Sequence, residues 1–323
     1  MSWQVVAYDL FSVLIYPGII FLVALALFYQ WVDRRVYARA QNRYGPHHTG
    51  PRGLLQPLAD LIKLLAKEDI EPSAVDKMIF RAAPILLLTL VFTALFMVPI
   101  SGTSAIVSFE GDLIFLIFIM TLFAILAFLA GWGSTNRFSL VGGMRAALQT
   151  LGYEVPLAVS LIGPAILAGT LSVSNIVAWQ AAEGFWSILL NPLGFGIAII
   201  GIIAIIEVVP FDIPEAETEI VAGWQTEFSG RKLGLLRLAH DLELVFVSGL
   251  VVALFLGGPT GPIPLIPGVI WFLIKTVIIV FIIGFIRAQF ARFRIDQMVS
   301  GSWKYLVPLS ILQIIILQLY LMI

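Results

Sequence analysis

Lysine and arginine are confined to alternate intervals of this chain, and nothing else in it constrains the fold so strongly. There are nineteen such residues. All but Lys275 lie in or beside the first, third, fifth and seventh gaps between long apolar runs. The first gap holds Arg34, Arg35, Arg39, Arg43, Arg52, Lys63, Lys67, Lys77 and Arg81. The third holds Arg137 and Arg145, the fifth Arg231, Lys232 and Arg237, and the seventh Arg287, Arg292, Arg294 and Lys304. The even gaps hold none. A polytopic membrane protein sorts its cations this way, because short positively charged loops stay on the cytoplasmic side. Lys275 lies inside an apolar run, where it either pairs with an acid or snorkels to the far surface.

The rest of the composition agrees. The chain is 12% charged and 60% hydrophobic, about half the charge fraction of an average soluble domain. Backbone in lipid must satisfy its own hydrogen bonds, which leaves helical bundles and closed barrels. Apolar runs of about 18–22 residues fit helices, not the ~10-residue strands of a barrel. The expected fold is therefore all-α: a polytopic membrane protein of about eight transmembrane helices, at roughly 11–31, 79–99, 113–131, 153–171, 188–208, 242–257, 269–287 and 304–322. No low-complexity linker or clear repeat divides residues 1–323, so the chain reads as a single integral membrane domain. The basic gaps face the cytoplasm, the even gaps are short and outward, and both termini lie outside the cell membrane. The first run reads as a retained span, since no basic region precedes it and no small-residue cleavage site is clear.

Several function classes fall away. A net charge of −1 gives no bias toward nucleic acid. The absence of cysteine excludes disulfides, thiolate metal sites and cysteine-ligated iron–sulfur clusters in this chain. His47, His48 and His240 do not make a convincing metal or haem set. There is no Gly-rich phosphate loop and no nucleophile–base pair. Trp3, Trp31, Trp132, Trp179, Trp224 and Trp303 mostly fall near span ends, as an interfacial belt does.

The first gap carries its own helix. Leu54, Leu58, Leu61, Ile62 and Leu65 follow helical spacing, while Gln56, Asp60, Lys63 and Lys67 fall on other faces. Pro57 suits an early turn, where its missing N–H costs little. About three amphipathic turns at the membrane surface would serve as a lipid anchor or as the wall of a site facing a partner.

Acids cluster in IEVVPFDIPEAETE, which contains Glu207, Asp212, Glu215, Glu217 and Glu219. The spacing of Asp212, Glu215 and Glu219 would align them on one helix face. Pro210 and Pro214 argue for a broken or kinked backbone ahead of it. Crowded carboxylates in low dielectric cannot all ionise, so some gain and lose protons where a relay needs them. A solvated loop pairing with Arg231 and Lys232 is the bland alternative. Glu154, near the start of the fourth span, either faces a cavity or partner, or sits at the bilayer edge, hydrated or paired with Arg145. His240, Asp241 and Glu243 either join the acids or form a hydrated loop end.

Residues 33–81, DRRVYARAQNRYGPHHTGPRGLLQPLADLIKLLAKEDIEPSAVDKMIFR, resemble the first cytoplasmic loop of the complex I subunit 1 family (NuoH in bacteria). Three further stretches match in order: GWGSTNRFSLVGGMRAALQTLGYEV, PFDIPEAETEIVAGWQTEFSGRKLGLL and IRAQFARFRIDQMVSGSWKYLVPLS. The resemblance covers all four basic loops. It implies eight spans and a place in a hetero-oligomeric membrane complex, as the heel between a peripheral redox arm and antiporter-like membrane subunits. Iron–sulfur clusters then belong to peripheral-arm partners, and this chain binds no cofactor of its own. By motif match Glu154, Asp212, Glu215, Glu217, Glu219 and Glu227 take ion-translocation or coupling positions, and Glu207 is counted with them from the acidic cluster itself. Arg34, Arg39, Arg43, Gln56, Asp60, Lys63, Glu68 and Asp69 take positions at the redox-arm junction, with Arg137, Arg145, Arg287, Arg292 and Asp296 in the other matching loops.

The chain departs from the respiratory pattern E-x-N-R-x-P-F-D. It reads Ile205-Ile206-Glu207-Val208-Val209-Pro210-Phe211-Asp212, and Gly45-Pro46-His47-His48 replaces the family's G-P-N-R. Both changes lose an arginine. They favour the branch serving membrane-bound nickel–iron hydrogenases and sulfur-reducing complexes, which need no long quinone tunnel. A quinone-binding subunit of a respiratory dehydrogenase is the alternative, and a stand-alone secondary transporter is a rival of another class. The pumped ion, proton or sodium, stays open, and the basic clusters also suit contact with anionic lipids.

Overall fold

Each apolar run that lacks internal breakers becomes a helix, and turn residues end it. In a computed structural model, which describes residues 10–263 and 265–322, all regular structure is helical. Trp3 lies outside the described residues. The main elements are α1 (Ile19–Ala40), α2 (Gln56–Ala66), α3 (Lys77–Leu95), α4 (Asp112–Gly133), α5 (Arg137–Ala168) and α6 (Val173–Glu183). They continue with α7 (Pro192–Ile205), α8 (Gly230–Phe255), α9 (Gly268–Gln289), α10 (Ile295–Gly301) and α11 (Val307–Met322). A π-helical turn, Ser302–Leu306, joins the last two. Asp76 and Asn136 cap α3 and α5 through their side chains, replacing backbone partners the first turn lacks.

Among the described residues, seven helices are long and apolar enough to cross a membrane: Leu10–Ala40, α3, α4, α5, α8, α9 and Ile295–Met322. The expected span at 188–208 is not such a helix. Asn191 and Pro192 start α7 late, and Glu207 leaves helical geometry at φ 49°. The 14 residues of α7 reach about 21 Å, short of a ~30 Å hydrocarbon core. Two other boundaries also move. α5 starts sixteen residues before the expected 153, and α8 starts twelve before the expected 242. The fourth gap is not a plain loop, because it contains α6.

The core is built around α8. It is the most enclosed of the crossing helices, with residues 244–255 buried without a break. It packs on α1, α2, α3 and α9, while α5 packs on α4, α7 and α11. Ion pairs tie the four basic gaps to one another: Arg287–Asp33 at 2.7 Å, Lys232–Asp69 at 2.6 Å, Arg145–Glu219 at 2.6 Å and Arg292–Asp212 at 2.6 Å. The alternation in sequence is therefore a single end of the bundle in space.

The even gaps are knitted together at the opposite end. Asp112 accepts from the N–H of Val173 at 2.7 Å, and Glu110 from that of Leu171 at 2.9 Å. Lys275 neither snorkels nor pairs with an acid. It is 4% exposed, and Nζ donates to the carbonyls of Leu256 at 2.5 Å, Gly258 at 2.9 Å and Thr260 at 2.5 Å, over the ring of Trp186. These carbonyls lie at and beyond the end of α8, where a cation also meets the negative end of the helix dipole.

Candidate functional site

The acidic segment after α7 is not a helix. Residues 206–216 run as turns, and only Glu217–Ile220 forms a single helical turn. Asp212, Glu215 and Glu219 consequently do not share the helix face that their spacing predicts. Pro210 and Pro214 deny the backbone the donors a helix needs. The loop is pinned instead by close approach. A Cβ on Gly223, at φ +53°, would collide with the Pro214 carbonyl oxygen, and one on Gly142 of α5 would collide with the Trp224 backbone nitrogen. Only glycine fits either place, so the loop folds back on itself and lies directly on α5.

This folding sends the acids in different directions. Asp212, Glu215 and Glu217, with Glu207, line a cavity of about 290 Å³. Its other walls are Gln30, Asp33 and Arg34 of α1, Arg237, His240 and Asp241 of α8, and Arg287 of α9. Asp212 pairs with Arg292, and Glu215 accepts a hydrogen bond from the Gln225 amide. Burial pushes the Asp212 carboxyl above the usual range while Arg292 pulls against it. Burial likewise raises Glu215, opposed chiefly by Arg237. Glu219 turns outward to Arg145, which holds its carboxyl below the usual range. The acids do not pair with Arg231 or Lys232. Lys232 is occupied by Asp69 and Glu71, and Arg81, with Lys232 after it, lowers the Glu71 carboxyl to about 2.

A second, smaller cavity of about 50 Å³ lies beside the first, lined by Tyr153, Glu207, Trp224, Gln225, His240 and Glu243 among apolar side chains. Glu207 and His240 line both cavities. Glu207 accepts from the Trp224 indole at 3.2 Å. Its left-handed backbone costs about 1–2 kcal/mol for a non-glycine residue, a strain of the kind that gathers at functional places. His240 Nδ1 stands 3.8 Å from Glu243 Oε2. Tyr153 belongs both to the second cavity and to a small gap of about 10 Å³ containing Glu154. Glu154 accepts from the Thr121 hydroxyl on α4 and is not paired with Arg145. His240, Asp241 and Glu243 are thus not a hydrated loop end. Arg237, His240 and Asp241 follow helical spacing, the signal that could have placed them on a polar face of α8.

The junction residues spread over the basic end. Arg34 pairs with Asp60 at 2.7 Å, and Gln56 donates to Asp60 at 2.7 Å, so α2 is clamped to α1. α2 spans eleven residues, the three turns expected. A cavity of about 270 Å³ lies between α1, α2 and α8, lined by Gln30, Arg34, Asp60, Lys63, Arg237 and Asp241 with Pro57, Leu61 and Leu64. Arg39 stacks on Tyr44, and both Arg43 and Arg287 lie over Tyr37. Glu227 accepts from the Asn136 amide and so tethers the acidic loop to the start of α5. Glu68, Arg137 and Asp296 are exposed. Among the described residues, no three His, Cys, Asp or Glu side chains are grouped to hold a metal ion.

The same chain is similar to known proteins along nearly its whole length. A family model described as NADH dehydrogenase matches residues 13–318. One of the NuoH-type chains of NADH-quinone oxidoreductase from Rhodopseudomonas palustris is 42% identical over 298 residues, covering 92% of each chain. The corresponding chain of Dehalococcoides mccartyi is 40% identical over 296 residues, covering 92% of this chain and 82% of the relative. That of Thermomicrobium roseum is 38% identical over 333 residues, covering 97% and 96%. The chain belongs to the NADH dehydrogenase family, as a multi-pass membrane protein similar along most of its length to the NuoH chain of NADH-quinone oxidoreductase.

Proposed function

We propose that this chain is the membrane subunit that couples electron transfer in partner subunits to ion translocation, with its basic end on the cytoplasmic side against a peripheral redox arm. The carrying observation is the pair of adjoining cavities whose common residues are Glu207 and His240. Protonatable groups run from Asp212 and Glu215 through this wall to Glu243 and Tyr153, and from Tyr153 to Glu154. A change of charge or geometry at the redox arm reaches Glu215 first. Its proton occupancy then alters the field on Glu207 and Glu243, where low dielectric makes each charge felt by the next. Glu154, against α4, stands at the far end, where antiporter-like neighbours would receive the signal. Glu219 serves the surface through Arg145 and is left out of the relay.

Two readings of the electron acceptor follow. The relatives' names include quinone, and the cavity between α1, α2 and α8 sets Pro57, Leu61 and Leu64 on one side against the polar Gln30, Arg34, Asp60, Lys63, Lys67, Arg237 and Asp241. We infer that a quinone enters there. The lost arginines at 205–210 and at His47-His48 support the hydrogenase or sulfur-reductase branch as the second reading. Reduction of a short-chain quinone by the assembled complex, blocked by substitutions within 34–62, supports the first; quinone-independent turnover supports the second. The coupling claim is tested in vesicles carrying the assembled complex. Glu154→Gln and Glu243→Gln are expected to lower ions moved per electron pair at least fivefold while the complex still assembles. Unchanged stoichiometry in both variants would sink the relay.

A further inference from the structure

We infer that the outer face between α1 and α9 is a binding site for one anionic phospholipid, whose acyl chain lies in a groove and whose phosphate is held by Arg35 and Arg52. The groove has a volume of about 560 Å³ and is lined by Phe21, Ala24, Leu25 and Phe28 of α1 and Leu273, Ile274, Val277 and Ile278 of α9. Its floor is rigid, because Leu22, Leu25 and Ala26 are buried and the Tyr29 hydroxyl is hydrogen-bonded to Thr276. Its lip is open, with Phe28, Ile274 and Ile278 exposed. Ala24 leaves the hollow between Phe21 and Phe28.

An apolar hollow alone does not select a ligand in a bilayer, where lipid tails are as apolar as leucine. Charge at one end does. Phe28 stacks on Trp31 with centroids 5.8 Å apart, and the Arg35 guanidinium lies 4.9 Å from the centroid of the same indole. The Trp31 N–H donates at 3.3 Å to the backbone carbonyl of Arg52, which puts a second arginine's backbone beside the same indole. Among the described residues neither arginine has a carboxylate partner. Groove, indole and the Arg35 guanidinium form one continuous stripe, since Phe21, Phe28 and Arg35 recur at a seven-residue spacing on nearly one helix face, with the Arg52 backbone anchored beside it.

The dimensions agree. From Phe21 to Arg35 the helix rises about 21 Å. Half a ~30 Å hydrocarbon core plus one headgroup layer comes to about 20–22 Å. A lipid with its tail beside Phe21 therefore carries its phosphate at the level of Arg35, and a basic residue at that depth favours anionic headgroups.

The test is lipid analysis by mass spectrometry of the assembled complex, purified from native membranes in mild detergent and washed to a constant lipid content. Wild type is expected to retain one anionic phospholipid that Ala24→Trp removes by filling the hollow. Arg35→Gln with Arg52→Gln, both near the surface, is expected to lower retention of anionic over zwitterionic lipid at least fivefold, about the effect of a single basic residue. Equal retention of both lipid classes in wild type would overturn the proposal, as would a lipid content unmoved by both variants. An Ala24→Cys variant that crosslinks to a partner subunit, and not to a photoactivatable phospholipid, would overturn it in favour of a protein occupant.

Discussion

Among single residues, Glu215 shows how position in a cavity changes an acid. Burial holds its proton more tightly in the folded protein than in the unfolded chain. Its contribution to stability is then whole below the ordinary glutamate value of 4.5 and is lost as pH rises through the raised value. Glu215→Gln imitates the protonated form and keeps an oxygen for the Gln225 amide. The melting temperature of the variant complex is therefore expected to match wild type near pH 4 and to exceed it by a few degrees at pH 8. A difference that does not grow with pH would contradict the burial. Glu219→Gln should change little at pH 8, because its pair with Arg145 is half exposed and such pairs contribute about 0–1 kcal/mol. Sequence alone found both acids but could not separate them. Spacing assumed a helix, and what distinguishes the two is which of them the turns at Pro210 and Pro214 direct inward.

At the scale of elements, hydropathy located the crossings but not their ends. α5 and α8 begin well before their apolar windows because Arg145, Arg237, His240 and Asp241 break the pattern. Those polar side chains face protein cavities and ion pairs, not lipid, so the helix continues where a lipid-based reading stops. α7 errs the other way, since the window is apolar but for Asn191 near one end and Glu207 near the other, and the helix is cut short at both. The amphipathic α2 was legible because one of its faces is polar along its whole length and Pro57 marks its start. The acidic loop was not, because its shape depends on two glycines meeting backbone from elsewhere. Gly223→Ala places a methyl group against the Pro214 carbonyl in a left-handed backbone, and overpacking of this kind costs about 1–3 kcal/mol. Faster amide hydrogen exchange over residues 210–228, with protection of α4 and α9 unchanged, is the expected result. Wild-type protection across the loop would show that it does not depend on that contact.

For the whole molecule, one charge pattern decides which end is which. The ion pairs Arg287–Asp33, Lys232–Asp69, Arg145–Glu219 and Arg292–Asp212 gather the odd gaps at one end. The other end is closed by neutral hydrogen bonds, by Asp112 and Glu110, and by Lys275 on the carbonyls after α8. The large acidic cavity and the cavity under α2 both open among the odd-gap residues, so the orientation of the bundle also sets the side from which the site is reached. By the positive-inside rule, that side is the one we propose to be cytoplasmic. The chain has no cysteine, so single cysteines report position without background. Gly102 borders open space and Leu265 is 92% exposed, both at the weakly charged end, while Met78 is 83% exposed at the start of α3 at the basic end. In intact cells a membrane-impermeant maleimide is expected to label Gly102→Cys and Leu265→Cys at least tenfold faster than Met78→Cys, and in inverted vesicles the order should reverse. Labelling of Met78→Cys from outside intact cells would turn the bundle over. It would then leave the acids facing the wrong compartment for a cytoplasmic redox arm, and the proposed coupling would fail with the topology on which it stands.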